Sequence, residues 1–199
     1  MNKIYKVGLI GCGHISETYF RAHEYFNNFK IIKCADIKES ASKNCASLYN
    51  IESVSVDDLL ADNQIEVVLN LTTPQAHYEV TKKTLLTGKH SYCEKPLSTK
   101  FENGQELVNL AKEKNLYLGN GPDTFLGAGS QKSRQLIDSG LVGDIKLGNA
   151  IFAFPGVQSY HPDPEPWFQK DGGGPVMDMG TYYLTVLVNL LGPAKQVQG

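Results

Sequence analysis

The first part of the chain alternates short apolar segments with longer segments of helical character. The apolar segments have the length of buried strands, whereas the longer ones are typical of helices that cover a sheet. Strands are predicted at residues 6–10, 30–35, 66–71, 91–93 and 116–119, and helices at residues 15–26, 40–49, 56–61, 75–87 and 99–114. This alternation predicts an α/β fold with a doubly wound parallel sheet.

The pattern changes near Asn120, where glycine and proline crowd one stretch and indicate a linker. We therefore expect two domains, residues 1–121 on the parallel sheet and residues 122–199 as the beginning of an α+β domain. The second domain is predicted to contain a helix over 130–139, a strand over 144–154, an irregular loop over 158–174 and a helix over 175–191. The loop holds His161 and Trp167, for which packing within the loop is favoured over a place in a pocket.

Composition narrows the range of functions. Of the 199 residues 41% are hydrophobic and 20% are charged, and the net charge is −2, so neither a nucleic-acid surface nor a membrane span is expected. The amino terminus leads directly into a predicted strand, which leaves no room for a signal peptide and favours a cytoplasmic protein. The four cysteines form no C-x-x-C pair, so no metal site is expected and reduced thiols are predicted.

The first predicted strand is followed by a glycine-rich turn that reads Gly11-Cys12-Gly13-His14-Ile15-Ser16. It matches G-x-G-x-x-G except that serine takes the third glycine position. Gly11 permits the tight turn, and Gly13 lets a diphosphate approach the backbone amides at the helix start. A dinucleotide-binding site is therefore predicted at Gly11, Gly13, His14 and Ile15, on a Rossmann domain.

Asp36 ends the second predicted strand, 20 residues beyond Ser16. An acid at that place accepts hydrogen bonds from the adenosine ribose. It favours NAD over NADP, because its negative charge would repel the extra phosphate of NADP. Lys38 lies two residues further on and leaves NADP open. The alternative is a glycine-rich turn with an unrelated aspartate at the end of a strand.

Two further polar segments follow predicted strands. Thr72-Thr73-Pro74, with His77 close behind, comes after the third strand, and Glu94-Lys95-Pro96 comes after the fourth. Both lie at the carboxyl edge of the sheet, where open α/β sheets bind ligands. A lysine there can act as an acid–base group or stabilise charge on a substrate oxygen. From composition alone, an ordinary helix cap and a solvated surface lysine are the favoured alternatives.

The last predicted helix carries a polar stripe on an apolar background. Asp178, Tyr182, Thr185 and Asn189 are spaced by 4, 3 and 4 residues, which places them on one helical face. A polar stripe on a largely buried helix must face a partner or a wet cavity. A substrate pocket and a hydrogen-bonded network between two layers both satisfy this pattern.

Together these segments resemble the Gfo/Idh/MocA oxidoreductases, the family of glucose–fructose oxidoreductase and inositol dehydrogenase. The residues that carry the resemblance are the turn 11–16, Thr72-Thr73-Pro74 with His77, Glu94-Lys95-Pro96, Gly140-Leu-Val-Gly143-Asp-Ile145 and Gly172-Gly-Gly174-Pro-Val-Met-Asp178-Met-Gly180. The resemblance covers nearly the whole chain. It implies a nicotinamide cofactor, NAD or NADP, held in part by Thr72, Thr73, Pro74, His77, Glu94 and Lys95.

The resemblance also implies catalytic roles. Lys95 matches the catalytic-site lysine of the family, Asp178 its substrate-binding acid, and Tyr182 the place of its usual histidine. Hydride would move between nicotinamide and a carbinol carbon of a sugar, cyclitol or related polyol, in a direction that the sequence leaves open. In oxidation, Tyr182 would take the hydroxyl proton, Lys95 would stabilise the oxygen, and Asp178 would fix an adjacent hydroxyl.

Members of this family are commonly longer than this chain, so the second domain is expected to be partial. The uncovered apolar face of its last helix predicts oligomerisation, disorder or aggregation, of which a homo-oligomer is the favoured outcome. Two other functions stay open. One is a non-catalytic dinucleotide-binding or sensing protein on the same scaffold. The other is an S-adenosylmethionine-dependent methyltransferase, which is disfavoured because Glu94-Lys95-Pro96 has no role in it.

Overall fold

The computed structural model describes residues 3–22, 25–156 and 173–198. The chain divides into two compact units, Met1–Gly121 and Pro122–Gly199. His161 and Trp167, for which packing within the predicted loop was favoured over a place in a pocket, lie outside the described residues.

The first unit is built on one six-stranded sheet in which every strand pair is parallel. The strands are β1 (Tyr5–Ile10), β2 (Phe29–Ala35), β3 (Glu52–Ser53), β4 (Val67–Asn70), β5 (His90–Cys93) and β6 (Leu118–Asn120), in the order β3-β2-β1-β4-β5-β6. The predicted α/β class and the doubly wound parallel sheet are confirmed. The two-residue strand β3 was not predicted.

Five helices connect these strands. They are α1 (Ser16–Arg21), α2 (Glu39–Tyr49), α3 (Val56–Ala61), α4 (Pro74–Leu86) and α5 (Phe101–Glu113). The helix predicted over residues 15–26 is too long, because Tyr25 and Phe26 are not helical. The backbone amides of both residues donate to the carbonyl of Ala22, at 3.0 and 3.1 Å.

Apolar side chains fill both faces of the sheet, as expected where helices cover both. Neighbouring residues of one strand enter different clusters, since their side chains point to opposite faces. Leu9 lies in one cluster with Phe20 of α1, whereas Ile10 lies in another with Leu59 of α3. All four side chains are at most 2% exposed.

A buried polar network fixes the loop after β4. The side chain of Asn70 is fully buried, and its Nδ2 donates to the carbonyl of His77 and to Oγ1 of Thr81, both at 3.0 Å. Its Oδ1 accepts a hydrogen bond of 2.7 Å from Oγ1 of Thr72. Because buried polar groups are costly when unpaired, this network holds α4 and the loop in one geometry.

The imidazole of His77 links that loop to the one after β5. Its Nδ1 lies 2.6 Å from the carbonyl oxygen of Pro96, and its Nε2 lies 2.9 Å from that of Thr72. The ring is 1% exposed. Burial lowers the pKa of His77, and the two carbonyl oxygens oppose this effect. The ring therefore connects the two polar loops from inside the protein.

The second unit contains a short 3₁₀ turn (Thr124–Leu126), helix α6 (Ala128–Asp138), a π-helical turn (Val176–Gly180) and helix α7 (Thr181–Leu191). Arg134 of α6 donates from Nη1 to the carbonyls of Asn189 and Leu190, at 3.0 and 2.8 Å. A cation at this end of α7 satisfies carbonyls that lack helical partners and is favoured by the helix dipole.

The strand predicted over residues 144–154 is wrong. This segment has no regular structure, and none of the described residues pairs with it. An extended segment becomes a strand only when a neighbour accepts and donates its backbone hydrogen bonds. Its apolar side chains remain exposed, among them Leu147 and Ile151.

The buried ring of His77 makes stability depend on pH. The unfolded ring titrates near its ordinary pKa of about 6.5, so below that pH the unfolded chain binds more protons than the native one, whose pKa is lowered. The free energy of unfolding therefore falls as the pH falls through this range. For His77→Gln we expect a loss of about 1–3 kcal/mol near pH 8, and a smaller difference from the unsubstituted chain at acidic pH.

Urea unfolding across this pH range measures both effects. His14→Gln is the matched control, because His14 is exposed and its replacement should change the free energy of unfolding by no more than about 0.5 kcal/mol. A His77→Gln curve that runs parallel to the unsubstituted one would contradict this account of the ring.

Candidate functional site

Gly11 lies where three central strands end. Its amide donates to the carbonyl of Ala35 at 2.9 Å, and the amide of Leu71 donates to that of Ile10 at 2.8 Å. Gly11 has a φ of +102°, and a Cβ at this position would lie 2.5 Å from the carbonyl carbon of Leu71. Both the left-handed backbone and the close approach of Leu71 therefore require glycine.

The other side of the turn is open. Apart from Gly13 itself and its two neighbours in the chain, no described residue has an atom within 4 Å of the place that a Cβ on Gly13 would take. His14 is exposed and Ile15 is 42% exposed, so both lie on the outer surface of the turn. An open, exposed backbone before a helix start is the feature that lets an anion reach amide groups.

Ser16 replaces the third glycine without leaving a polar group unpaired. Its side chain is 2% exposed, and its Oγ donates to the carbonyl of Gly13 at 2.6 Å. The amide of Ser16 also donates to that carbonyl, at 3.1 Å. The serine hydroxyl thus closes the turn from within, and α1 begins at this residue.

The carboxylate of Asp36 is fixed against the turn. Its Oδ2 accepts the amide of Cys12 at 2.7 Å, and its Oδ1 accepts the amide of Lys38 at 2.8 Å. A carboxylate oxygen can accept more than one hydrogen bond, so both oxygens retain acceptor capacity. The half-buried side chain therefore presents a rigid acceptor beside the glycine turn.

The loop after β4 begins helix α4. Thr73 is the N-cap residue, Pro74 occupies the first turn, and within the described structure the Thr73 side chain makes no capping hydrogen bond. The side chain of Thr73 is exposed and that of Thr72 is half-buried. Thr73 therefore takes the place of the helix cap that the alternative interpretation predicted, but without the side-chain hydrogen bond that usually accompanies such a cap.

His77 faces the interior of the protein. Its ring is buried, and both of its nitrogens face the carbonyls of Thr72 and Pro96. Both nitrogens thus face carbonyl groups of the protein, and a direct contact of this side chain with the cofactor stays a prediction. His77 lies behind the site and connects two of its loops.

The segment after β5 is held from several directions. The amide of Glu94 donates to the carbonyl of Asn70 at 2.9 Å, which aligns the end of β5 with that of β4. The side chain of Asn120, at the end of β6, donates to the carbonyls of Cys93 and Glu94 at 2.9 and 3.1 Å. The half-buried Lys95 follows directly at the carboxyl edge of the sheet.

Sequence reasoning missed two residues of this site, Tyr19 and Asn120. The hydroxyl of Tyr19 donates to Oε1 of Glu94 at 2.6 Å. Tyr19 lies one helical turn after Ser16, and Asn120 directly follows the strand predicted over 116–119, so their positions in the pattern carried a signal. The missing information was the partner, since Tyr19 and Glu94 are 75 residues apart.

Asp178 and Tyr182 lie in the second unit. Asp178 belongs to the π-helical turn and Tyr182 to the first turn of α7, and both side chains are half-buried. A π-helical turn in front of an α-helix is frequent at functional sites. Lys95 belongs to the first unit, so a joint role for these three residues stays a prediction.

The described part of the chain shows neither a cluster of metal ligands nor a helix that could span a membrane. No group of three or more His, Cys, Asp or Glu residues there could hold a metal ion. None of the described helices has the length and apolar character needed to span a bilayer. All four cysteines are free thiols, and burial raises the pKa of Cys93 to about 12.

Comparison with known proteins gives a family match over most of the chain. Residues 5–121 match the Gfo/Idh/MocA model described as an oxidoreductase family with an NAD-binding Rossmann fold. Residues 130–199 match the Gfo/Idh/MocA C-terminal domain. The predicted family and a nicotinamide dinucleotide as its cofactor are thus confirmed at the level of the family.

Individual relatives agree. The chain is 28% identical to the D-xylose dehydrogenase of Paenarthrobacter nicotinovorans over 82% of this chain and 42% of that enzyme. The structure resembles the WlbA dehydrogenase of Bordetella pertussis, solved with NADH and UDP-GlcNAcA, with a TM-score of 0.85, 23% identity and coverage of 100% of this chain and 61% of that one.

A second solved structure is the 3-ketoreductase KijD10 of Actinomadura kijaniata, in complex with NADP and TDP-benzene. It has a TM-score of 0.83 and 26% identity over 96% of this chain and 58% of that one. The chain spans about half the length of the curated relatives it matches. Its sheet, glycine turn and two family matches identify it as a member of the Gfo/Idh/MocA oxidoreductase family.

Proposed function

We propose that this chain belongs to an NAD(P)-dependent oxidoreductase that transfers hydride between nicotinamide and a sugar, cyclitol or related polyol. The observation that carries the proposal is the open backbone at Gly13 beside the fixed carboxylate of Asp36. The first offers amides to a diphosphate, and the second offers acceptors to a ribose. The named relatives are dehydrogenases and reductases, and none of them supports the non-catalytic alternative.

The turn 11–16 would hold the diphosphate, and Asp36 the adenosine ribose. Ile37, next to that acid, is 98% exposed and offers an apolar platform for the adenine. A negative charge at Asp36 disfavours the additional phosphate of NADP, so NAD is the proposed cofactor. The exposed Lys38 keeps NADP as the alternative, because its ammonium group would attract that phosphate.

When bound, the cofactor supplies the hydride donor or acceptor. The side chain of Lys95 would stabilise the charge that develops on the substrate oxygen. In the oxidative direction, Tyr182 would accept the hydroxyl proton while it passes its own phenolic proton on to solvent, a relay that Lys95 would assist. Asp178 fixes a neighbouring hydroxyl of the substrate. The exposed Thr73, together with Thr72, Pro74 and Glu94, completes the proposed cofactor contacts.

A location in the cytoplasm stays a prediction.

The second unit supports a homo-oligomer. Helix α7 has Leu184 56% exposed and Val188 50% exposed, one turn apart on the same face. A contiguous apolar face of this kind favours burial against another protein surface. Sedimentation velocity tests the proposal: a dimer or larger assembly that Leu184→Glu dissociates is expected, and a stable monomer would contradict it.

Gly13→Ala tests the diphosphate position directly. The new methyl group meets no described atom, so the free energy of unfolding should change by no more than about 0.5 kcal/mol. It would, however, occupy the space of the diphosphate, and we expect the NADH dissociation constant to rise about tenfold or more. NADH fluorescence titration and urea unfolding measure the two quantities.

Gly129→Ala is the matched control, because Gly129 of α6 also has no described neighbour within 4 Å of the added methyl group. It should bind NADH as the unsubstituted chain does. Unchanged NADH affinity in Gly13→Ala would place the diphosphate elsewhere.

Lys95→Ala tests the catalytic assignment. We expect turnover to fall about 10²- to 10⁴-fold, because a charge-stabilising group is lost, while NADH affinity stays within about threefold. A panel of sugars, cyclitols and other polyols, followed by NADH absorbance, measures turnover, and Lys100→Ala at an exposed neighbouring position is the control. Full turnover in Lys95→Ala would remove this residue from the mechanism. Cofactor binding with no turnover of any substrate by the unsubstituted protein would instead favour the non-catalytic alternative.

A further inference from the structure

Tyr19 connects the helix of the glycine turn to the end of β5. It lies on α1, and its hydroxyl donates to Oε1 of Glu94 at 2.6 Å. The other oxygen of the carboxylate, Oε2, accepts the amide of Lys95 at 3.0 Å. With one donor on each oxygen, the carboxylate is restricted to a single orientation.

The backbone of Glu94 is fixed independently of Tyr19. Its amide donates to the carbonyl of Asn70, and its own carbonyl accepts the side-chain amide of Asn120. Loss of the tyrosine hydroxyl would therefore remove one of the two hydrogen bonds that orient the carboxylate of Glu94, without displacing the chain that carries it.

Tyr19 is a permanent donor in this pair. Burial raises the pKa of Tyr19 well above its ordinary value, and the negative charge of Glu94 acts in the same direction. Its ring packs at 56° against the ring of Tyr92 on β5, with centroids 6.2 Å apart. The ring thus has apolar contacts that do not depend on its hydroxyl.

The order of the strands separates two carboxylates around the glycine turn. The turn follows β1, Asp36 follows β2 on one side of it, and Glu94 follows β5 on the other side, beyond β4. Strands lie about 4.8 Å apart, so β5 lies about 10 Å from β1. A dinucleotide has one ribose on each side of its diphosphate. If Asp36 takes the adenosine ribose, the half-buried Glu94 is the acceptor on the nicotinamide side.

We propose that Tyr19 is a positioning residue that holds the carboxylate of Glu94 as an acceptor for a hydroxyl of the nicotinamide-side ribose. Affinity for the nicotinamide half of the cofactor then depends on Tyr19, whereas affinity for the adenosine half does not. This inference rests on the proposed function, because it requires a dinucleotide on the turn.

Tyr19→Phe removes only the hydroxyl and keeps the ring. We expect the NADH dissociation constant, measured by calorimetry, to rise about fivefold, the size of one lost orienting hydrogen bond. The dissociation constant of ADP, which has only the adenosine side, should stay within about twofold. Tyr49→Phe is the matched control, since Tyr49 belongs to the same apolar cluster and packs on Phe20.

A double-mutant cycle separates positioning from general packing. In a Glu94→Ala background, Tyr19→Phe should have no further effect on NADH affinity, because the carboxylate that the hydroxyl orients is gone. An equal loss in that background, an equal loss for ADP, or unchanged NADH affinity in Tyr19→Phe would each overturn the role of Tyr19. If the unsubstituted chain bound neither NADH nor ADP, the proposed function would instead be overturned, and this inference with it.

Discussion

The contact of Gly11 with the backbone of Leu71 is the constraint on which the site depends. A Cβ at residue 11 would lie 2.5 Å from the carbonyl carbon of Leu71, and the φ of +102° is one that other residues rarely adopt. The glycine therefore lets the end of β1 turn away directly beside the end of β4. This turn leaves Gly13 and the start of α1 open at the carboxyl edge of the sheet.

Backbone groups then fix the polar side chains around that turn. The carboxylate of Asp36 accepts the amides of Cys12 and Lys38, and that of Glu94 accepts the amide of Lys95. His77 connects the loop after β4 to the loop after β5, because its ring nitrogens face the carbonyls of Thr72 and Pro96. Such a site is largely preorganised, because the folded chain already holds these carboxylates in fixed positions.

The parallel sheet and the glycine turn could be predicted from the sequence, because both depend on local sequence signals. The spacing of apolar segments predicts the parallel sheet, and the motif from Gly11 to Ser16 predicts the turn. The element bounds were less accurate: α1 ends at Arg21, and β3 is only two residues long. The strand predicted over 144–154 failed because a strand requires a pairing partner, which a pattern within one segment cannot supply.

The long-range contacts could not be predicted. The sequence places His77 near a ligand edge, but only the fold turns its ring inward to the carbonyl of Pro96, 19 residues away. The bond from Tyr19 to Glu94 likewise joins two segments that no local pattern connects. Both residues position other residues of the site. Such indirect roles are harder to recognise in a sequence than a phosphate-binding turn, which has its own motif.

The most direct test of the account is the amide ¹H–¹⁵N spectrum of the labelled chain during titration with NAD. The account predicts that the largest shifts fall on the amides from Gly11 to Ser16, with a second group around Asp36. Saturating NAD that left these amides unmoved, while others shifted, would contradict the assignment of the glycine turn as the dinucleotide site.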